Sequence, residues 1–164
     1  GAEVVLVEPN FEWDQIPLAY PMDTRDLPLG WDELEHGAAV NVGNPHVIFF
    51  VPETDDVPLH ELGPRIETDS VFPQKINVNV ASLAGANHLK LRVWERGVGL
   101  TQACGTGACA TAVAAIRAGL VQSPVKVSLP GGDLTIQWSQ GSPIIMTGPA
   151  TRVFDGITDW AHFG

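Results

Sequence analysis

Alternation of apolar and polar residues organises most of this chain. In "LKLRVWE", Leu89, Leu91 and Val93 fall on one side and Lys90, Arg92 and Trp94 on the other, the period-two pattern of a strand. "INVNVASL" alternates in the same way. "GAAVNV" and "HVIFFV" read as two strands broken at "GNP", and "VKVSLPGGDLTIQW" as a hairpin turning at "PGGD". "EVVLVEP" is a short apolar strand behind an exposed start, and "PIIMTGPATRVFDG" supplies two more strands. "WDQIPLAYPMDTRDLPLGWDEL", rich in Pro and Asp, reads as loop with one turn. "LHELGPRIETD" predicts a short helix stopped at Gly63-Pro64.

One segment departs from this pattern. From Cys104, "CATAVAAIRAGL" runs to a stop at Gly119, small or apolar on every side, with Arg117 where a cation suits the helix dipole. A helix without a polar face is a buried helix. The expected fold class is therefore α+β, a β-rich mixed sheet or barrel wrapped around a central buried helix. The pattern shows no internal repeat and no low-complexity tract.

Composition narrows the function. With 164 residues and 45% hydrophobic content, the chain is long enough for one domain with a real core. A formal charge of −10 argues against nucleic acid and anionic membranes as partners, while leaving room for a small anionic substrate at a local site. No apolar run reaches bilayer length and no secretion signal is recognisable, so a reducing, cytoplasmic setting is expected for Cys104 and Cys109. Placed five apart on one helix, these cysteines point in different directions and do not bridge easily.

Three places carry chemistry. Glycines at 97, 99, 105 and 107 crowd the approach to the helix and let a ligand come close to the backbone. The helix start offers unpaired N–H groups and the positive end of the dipole, which favour an anion and lower the pKa of a thiol. On the residues alone Cys104 is either a small buried side chain or a reactive thiol, with Thr106 beside it; Cys109, among alanines, reads as packing. Asn44 and His46 flank Pro45 at a turn between strands, a fixed loop or a site-directed pair. Glu95-Arg96 closes a strand just before the glycines, as a surface ion pair or as a proton partner and substrate anchor. No histidine has neighbours at metal-ligand spacing, so no metal is expected.

Together these motifs resemble one family. "VNVGNPH", "INVNVASL", "LRVWERGVGLTQACGTGACATA", "VSLPGGDLTIQW" and "MTGPATRVFDG", in that order, are similar to the C-terminal half of diaminopimelate epimerase, from about Phe11 to Gly156. The resemblance implies one lobe of a two-lobed α+β fold, each lobe a sheet around a central helix. Residues 1–164 would be the C-terminal lobe, with 1–35 as lead-in or inter-lobe segment. It implies interconversion of LL- and meso-2,6-diaminopimelate without pyridoxal phosphate, metal or other cofactor. A cysteine from each lobe would act on opposite faces of the α-carbon.

By position in the motifs, Cys104 matches one of these cysteines, and Glu95 and His46 match groups that assist proton movement. Asn44, Asn77 and Arg96 match residues that bind the distal amino-acid end, Asn77 being taken over Asn79 by its distance from Glu95. Gly105 and Thr106 match the backbone that holds the carboxylate. Leu100 stands where many members have Glu, a departure expected to alter the loop and not the chemistry. The N-terminal lobe's cysteine motif is absent from this chain. The expected partners are thus diaminopimelate and the missing lobe; a chain alone would not epimerise, and its exposed inter-lobe face would favour a homodimer or aggregation. The alternatives are a related cofactor-independent amino-acid racemase, or a non-catalytic domain that keeps the fold; replacing Cys104 separates catalysis from binding.

Overall fold

The structure, a computed structural model, describes residues 1–149. Eleven strands and two α-helices follow in chain order: β1 (Ala2–Val5), β2 (Gly30–Trp31), β3 (Leu34–Glu35), β4 (Ala38–Asn41), β5 (Pro45–Phe50), α1 (Leu59–Glu67), β6 (Asn77–Gly85), β7 (His88–Glu95), β8 (Gly99–Thr101), α2 (Gly105–Arg117), β9 (Val125–Leu129), β10 (Gly132–Gln137) and β11 (Ile145–Gly148). Nine of the strands form one mixed sheet in the order β1-β11-β10-β9-β7-β6-β5-β4, with β8 paired to β7; β2 and β3 make a separate small hairpin. The connection from β5 through α1 to β6 is a parallel crossover, with His46 opposite Asn77 and Ile48 opposite Asn79.

The fold class matches the expected α+β arrangement. One core surrounds α2: Ala108, Ala110, Ala112, Val113 and Ala115 are buried against Ile48, Ala81, Leu89, Leu91 and Val93. Alanines on every side let the strands approach the helix axis closely, which explains a helix with almost no polar face. The alternation along β7 holds: Leu89, Leu91 and Val93 are buried while the residues between them are half-buried.

A second core lies on the opposite face of the sheet, which the expectation of a single central helix does not contain. Val47, Phe49, Val78 and Val80 point into it, and α1 covers them with Leu59, Leu62 and Ile66. The segment before β4 belongs to it as well, through Ile16, Leu18, Leu27, Trp31 and Leu34. Layers on both faces explain why Asn77 to Ser82 are all buried although their sequence alternates.

The expected stop at Gly63-Pro64 is corrected, since α1 runs through Pro64 to Glu67. The proline costs the helix one N–H bond, but Leu62 and Ile66 on either side of it are fully engaged in the core. Gly63 is where α1 meets Trp94: a β-carbon there would lie 2.5 Å from the indole ring. Close approach, and not chain termination, is what that glycine serves. Of the two strands expected in "PIIMTGPATRVFDG", β11 is present and pairs with β10 and β1; the second lies outside the described residues. Among the described residues no helix is long and apolar enough to cross a membrane.

Candidate active site

Period two aims four polar side chains at one place. On β5, β6 and β7 the residues facing α2 include Ile48, Ala81, Leu89, Leu91 and Val93. Counting by twos puts His46, Asn77, Asn79 and Glu95 on that same face. The parallel pairing of β5 with β6, and the antiparallel pairing of β6 with β7, bring their positions to one end of the sheet. The N-terminus of α2 sits at that end.

Cys104 caps α2. Its backbone is extended, its sulfur accepts the amide N–H of Gly107 at 3.3 Å, and its carbonyl accepts that of Ala108 at 3.0 Å. The N–H groups of Gly105 and Thr106 have no intrahelical acceptor, as in any first turn. Gly105 packs against Met146, whose Sδ and Cε would lie 3.2 Å from a β-carbon placed there. The hydroxyl of Thr106 lies 3.7 Å from Cys104 Sγ and 3.2 Å from His46 Nε2. Asn44 joins the two, its Nδ2 donating to Thr106 at 3.2 Å while its Oδ1 lies 3.0 Å from His46 Nε2.

His46 is completely buried. Its pKa is lowered to about 3, first by burial and then by the charge of Arg96, so the ring is neutral. Asn79 lies on its other side, with Nδ2 3.0 Å from Nδ1. Sequence reasoning passed over Asn79 in favour of Asn77; only the strand register distinguishes them.

The expectation of a lowered thiol pKa at Cys104 is corrected, since the shift is upward. Burial is the largest cause and the charge of Glu95 adds to it; the hydrogen bonds from Thr106 and Gly107 oppose them without prevailing. A helix dipole contributes only about 0.3–1 kcal/mol near the surface, less than the penalty for a buried anion beside a carboxylate. The thiol therefore rests protonated. Cys109 is deeper still, pushed up to about 12 by burial, and belongs to the core.

Asn77 is held by backbone on both ends of its amide. It donates to Pro45 O at 2.9 Å and accepts from Arg96 N at 2.7 Å. The guanidinium of Arg96 donates to Gln74 O at 3.1 Å. Glu67, at the end of α1, is a second residue that the sequence did not disclose. Its carboxylate accepts from Trp94 Nε1 at 2.8 Å and from Gly97 N at 3.0 Å, one on each side of Glu95-Arg96. Gly97 has φ +76°, a left-handed conformation that glycine adopts without strain. The eight residues singled out from sequence thus lie at one end of the sheet: Cys104, Thr106, Asn44 and His46 in direct contact, Glu95 within electrostatic reach of the thiol, Asn77 and Arg96 joined through backbone, and Gly105 opening the helix.

The family model for diaminopimelate epimerase matches residues 38–153, which include every one of these positions. The chain belongs to the diaminopimelate epimerase family. Diaminopimelate epimerase of Sphingopyxis alaskensis is 77% identical over 164 residues, 100% of this chain and 61% of that protein. Those of Rhizorhabdus wittichii and Erythrobacter litoralis are 68% and 62% identical over 98% and 99% of this chain, and 59% and 61% of their own length. The chain therefore spans about three-fifths of the length of these three epimerases. A PhzF-family phenazine biosynthesis protein from Bacillus anthracis is similar at 17% identity with a TM-score of 0.43, over 62% of this chain and 33% of that structure.

Proposed function

We propose that this chain carries one half of the catalytic apparatus of a diaminopimelate epimerase, in which Cys104 exchanges a proton with the α-carbon of LL- or meso-diaminopimelate. What carries the reading is a buried thiol capping α2, hydrogen-bonded to Thr106 and beside Glu95, in a chain of this family.

Inversion at a carbon needs a base on one face and an acid on the other. Cys104, resting as a thiol, delivers its proton to one face and leaves as a thiolate; in the reverse direction that thiolate takes the α-proton. The substrate carboxylate lies on the N–H groups of Gly105 and Thr106, where the helix dipole stabilises the charge that builds up as the α-proton leaves. Glu95 and His46 assist the thiol, and Asn44, Asn77 and Arg96 recognise the distal amino-carboxylate end. The opposite face needs a second thiol. Cys109 cannot supply it, being packed in the core with its proton firmly held. The second acid–base group would come from an N-terminal lobe covering this site, and the exposed apolar residues Val98 and Leu100, next to Glu95-Arg96 in the chain, suit such a cover. No cofactor takes part in this scheme.

The test is proton NMR of LL-diaminopimelate in D2O under reducing conditions. The folded chain alone is expected to give neither α-deuterium nor meso isomer, and both are expected once the missing lobe is supplied. Formation of deuterated meso isomer by the chain alone would overturn the half-site reading. Unchanged turnover in Cys104→Ala with the lobe present would overturn the role of the thiol.

A further inference from the structure

Asn79 is not hydrogen-bonded to Cys104, yet its amide decides how the hydrogen bonds leading there are arranged. Its Nδ2 lies 3.1 Å from Val47 O and 3.0 Å from His46 Nδ1. A backbone carbonyl can only accept, so the group facing Val47 must be the NH2. The second hydrogen of that NH2 then points at His46 Nδ1, which must present a lone pair. A neutral imidazole with a bare Nδ1 carries its proton on Nε2.

The consequence propagates. Nε2–H donates to Asn44 Oδ1 at 3.0 Å. Asn44 then offers its Nδ2 to Thr106 Oγ1 at 3.2 Å. With Thr106 oxygen accepting that bond, its own hydrogen is free to turn to Cys104 Sγ, 3.7 Å away. The arrangement leaves one group unsatisfied: Asn79 Oδ1 is buried without a partner. A native side chain that tolerates such a cost, about 1–3 kcal/mol, is held by what its other end does.

We propose that Asn79 is a positioning residue that locks His46 in its Nε2–H tautomer and, through Asn44, directs the hydroxyl proton of Thr106 at Cys104. The inference deepens the proposed function and rests on it only for the use made of the Cys104 thiol. The tautomer is a property of the folded chain and is measurable without turnover.

The experiment is nitrogen-15 NMR of histidine-labelled protein, with the His46 signals assigned by their loss in His46→Gln. Nδ1 is expected in the range of an unprotonated ring nitrogen and Nε2 in that of a protonated one. A protonated Nδ1 in the unsubstituted protein overturns the proposal outright, so the test does not depend on any variant folding. Asn79→Asp, whose carboxylate only accepts, is expected to move the proton to Nδ1; a folded Asn79→Asp protein with an unchanged tautomer also overturns it. The link to the thiol is read by titrating carbon-13-labelled Cys104. Asn79→Ala is expected to reduce the thiolate fraction at a fixed pH roughly three- to tenfold, as loss of a hydrogen bond to the charged form should. The effect should vanish when Thr106→Ala is present in both proteins. An equal effect in the Thr106→Ala background shows that the influence travels by another route and overturns the proposal.

Discussion

Glu67 at the end of α1 receives the amide N–H of Gly97 at 3.0 Å, tying a helix on one face of the sheet to the turn that follows Glu95, which points to the other. The same carboxylate takes Trp94 Nε1 at 2.8 Å, and Asn77 takes the intervening Arg96 N–H at 2.7 Å. Side chains thus hold the turn from both sides.

Glu67→Ala removes the acceptor of both donors; Gly97 is exposed and its N–H turns to water, so the expected destabilisation is about 1–3 kcal/mol, the cost of leaving Trp94 Nε1 unsatisfied. Glu67→Gln keeps one acceptor oxygen and is expected to lose about half as much. Urea unfolding of the two variants checks the order. Equal stability of all three proteins would mean that the turn is held without Glu67.

His46 makes stability depend on pH. Its folded pKa of about 3 lies below the ordinary value of 6.5. Between those values the unfolded chain binds the proton and the folded one does not, so stability is full above pH 6.5 and declines as the pH falls towards 3. From pH 7.5 to pH 5 this residue alone is expected to cost about 2 kcal/mol. His36, exposed and raised by Asp26, works in the opposite sense. Denaturation midpoints at the two pH values in the native chain and in His46→Gln measure the effect; an unchanged slope in the variant contradicts it.

Cysteine labelling separates the two thiols. Cys104 is raised by burial and by Glu95, and Cys109 is pushed up to about 12. Iodoacetamide at pH 8 is expected to modify Cys104 slowly and Cys109 hardly at all, with the rate at Cys104 climbing as the pH rises. Glu95→Gln removes a negative charge that disfavours the thiolate. Its Cys104 pKa should fall, and labelling at fixed pH should quicken by about tenfold for each unit of that fall. Peptide mass spectrometry reads both sites, and slower labelling in Glu95→Gln would reverse the assignment.

Gly107 is constrained by three neighbours. A β-carbon there would lie 2.8 Å from Asn79 Oδ1 and 3.1 Å from both Cys104 Sγ and Val93 Cγ2. Alanine improves helix propensity by about 1 kcal/mol, but overpacking costs about 1–3 kcal/mol. Gly107→Ala is therefore expected to be destabilising on balance, and to shift the Cys104 titration. A gain in thermal midpoint would show that the pocket yields.

The elements most legible in the sequence were those whose signals are local. The α2 helix announces itself through a glycine-rich entry, an alanine run and Gly119; the β9–β10 hairpin through Pro130-Gly131 at its tip. What was hidden depends on contacts far apart in the chain. Pro64 reads as a helix end because the packing of Leu62 and Ile66 that outweighs it is tertiary. The alternation in "INVNVASL" puts Asn77 and Asn79 on one face of a strand but does not show that α2 covers that face. Motif position singled out Cys104, Thr106, Asn44 and His46, which do meet, but it passed over Asn79 in favour of Asn77 and gave no sign of Glu67. Their importance arises from register between strands and from a helix crossing behind the sheet. The thiol shift went the other way from the helix-dipole expectation because depth of burial is not written in a local motif.

The double burial of β6 has a consequence in time. A strand with packed layers on both faces and hydrogen-bonded neighbours on both edges cannot open by itself; its amides exchange only when a large part of the domain unfolds. Asn77 and Asn79 stand on that strand, and His46 on the one paired beside it. The polar groups behind the thiol are thus mounted on strands that open only with the surrounding core, and they keep their arrangement over intervals far longer than those of exposed loops, which move in nanoseconds to microseconds.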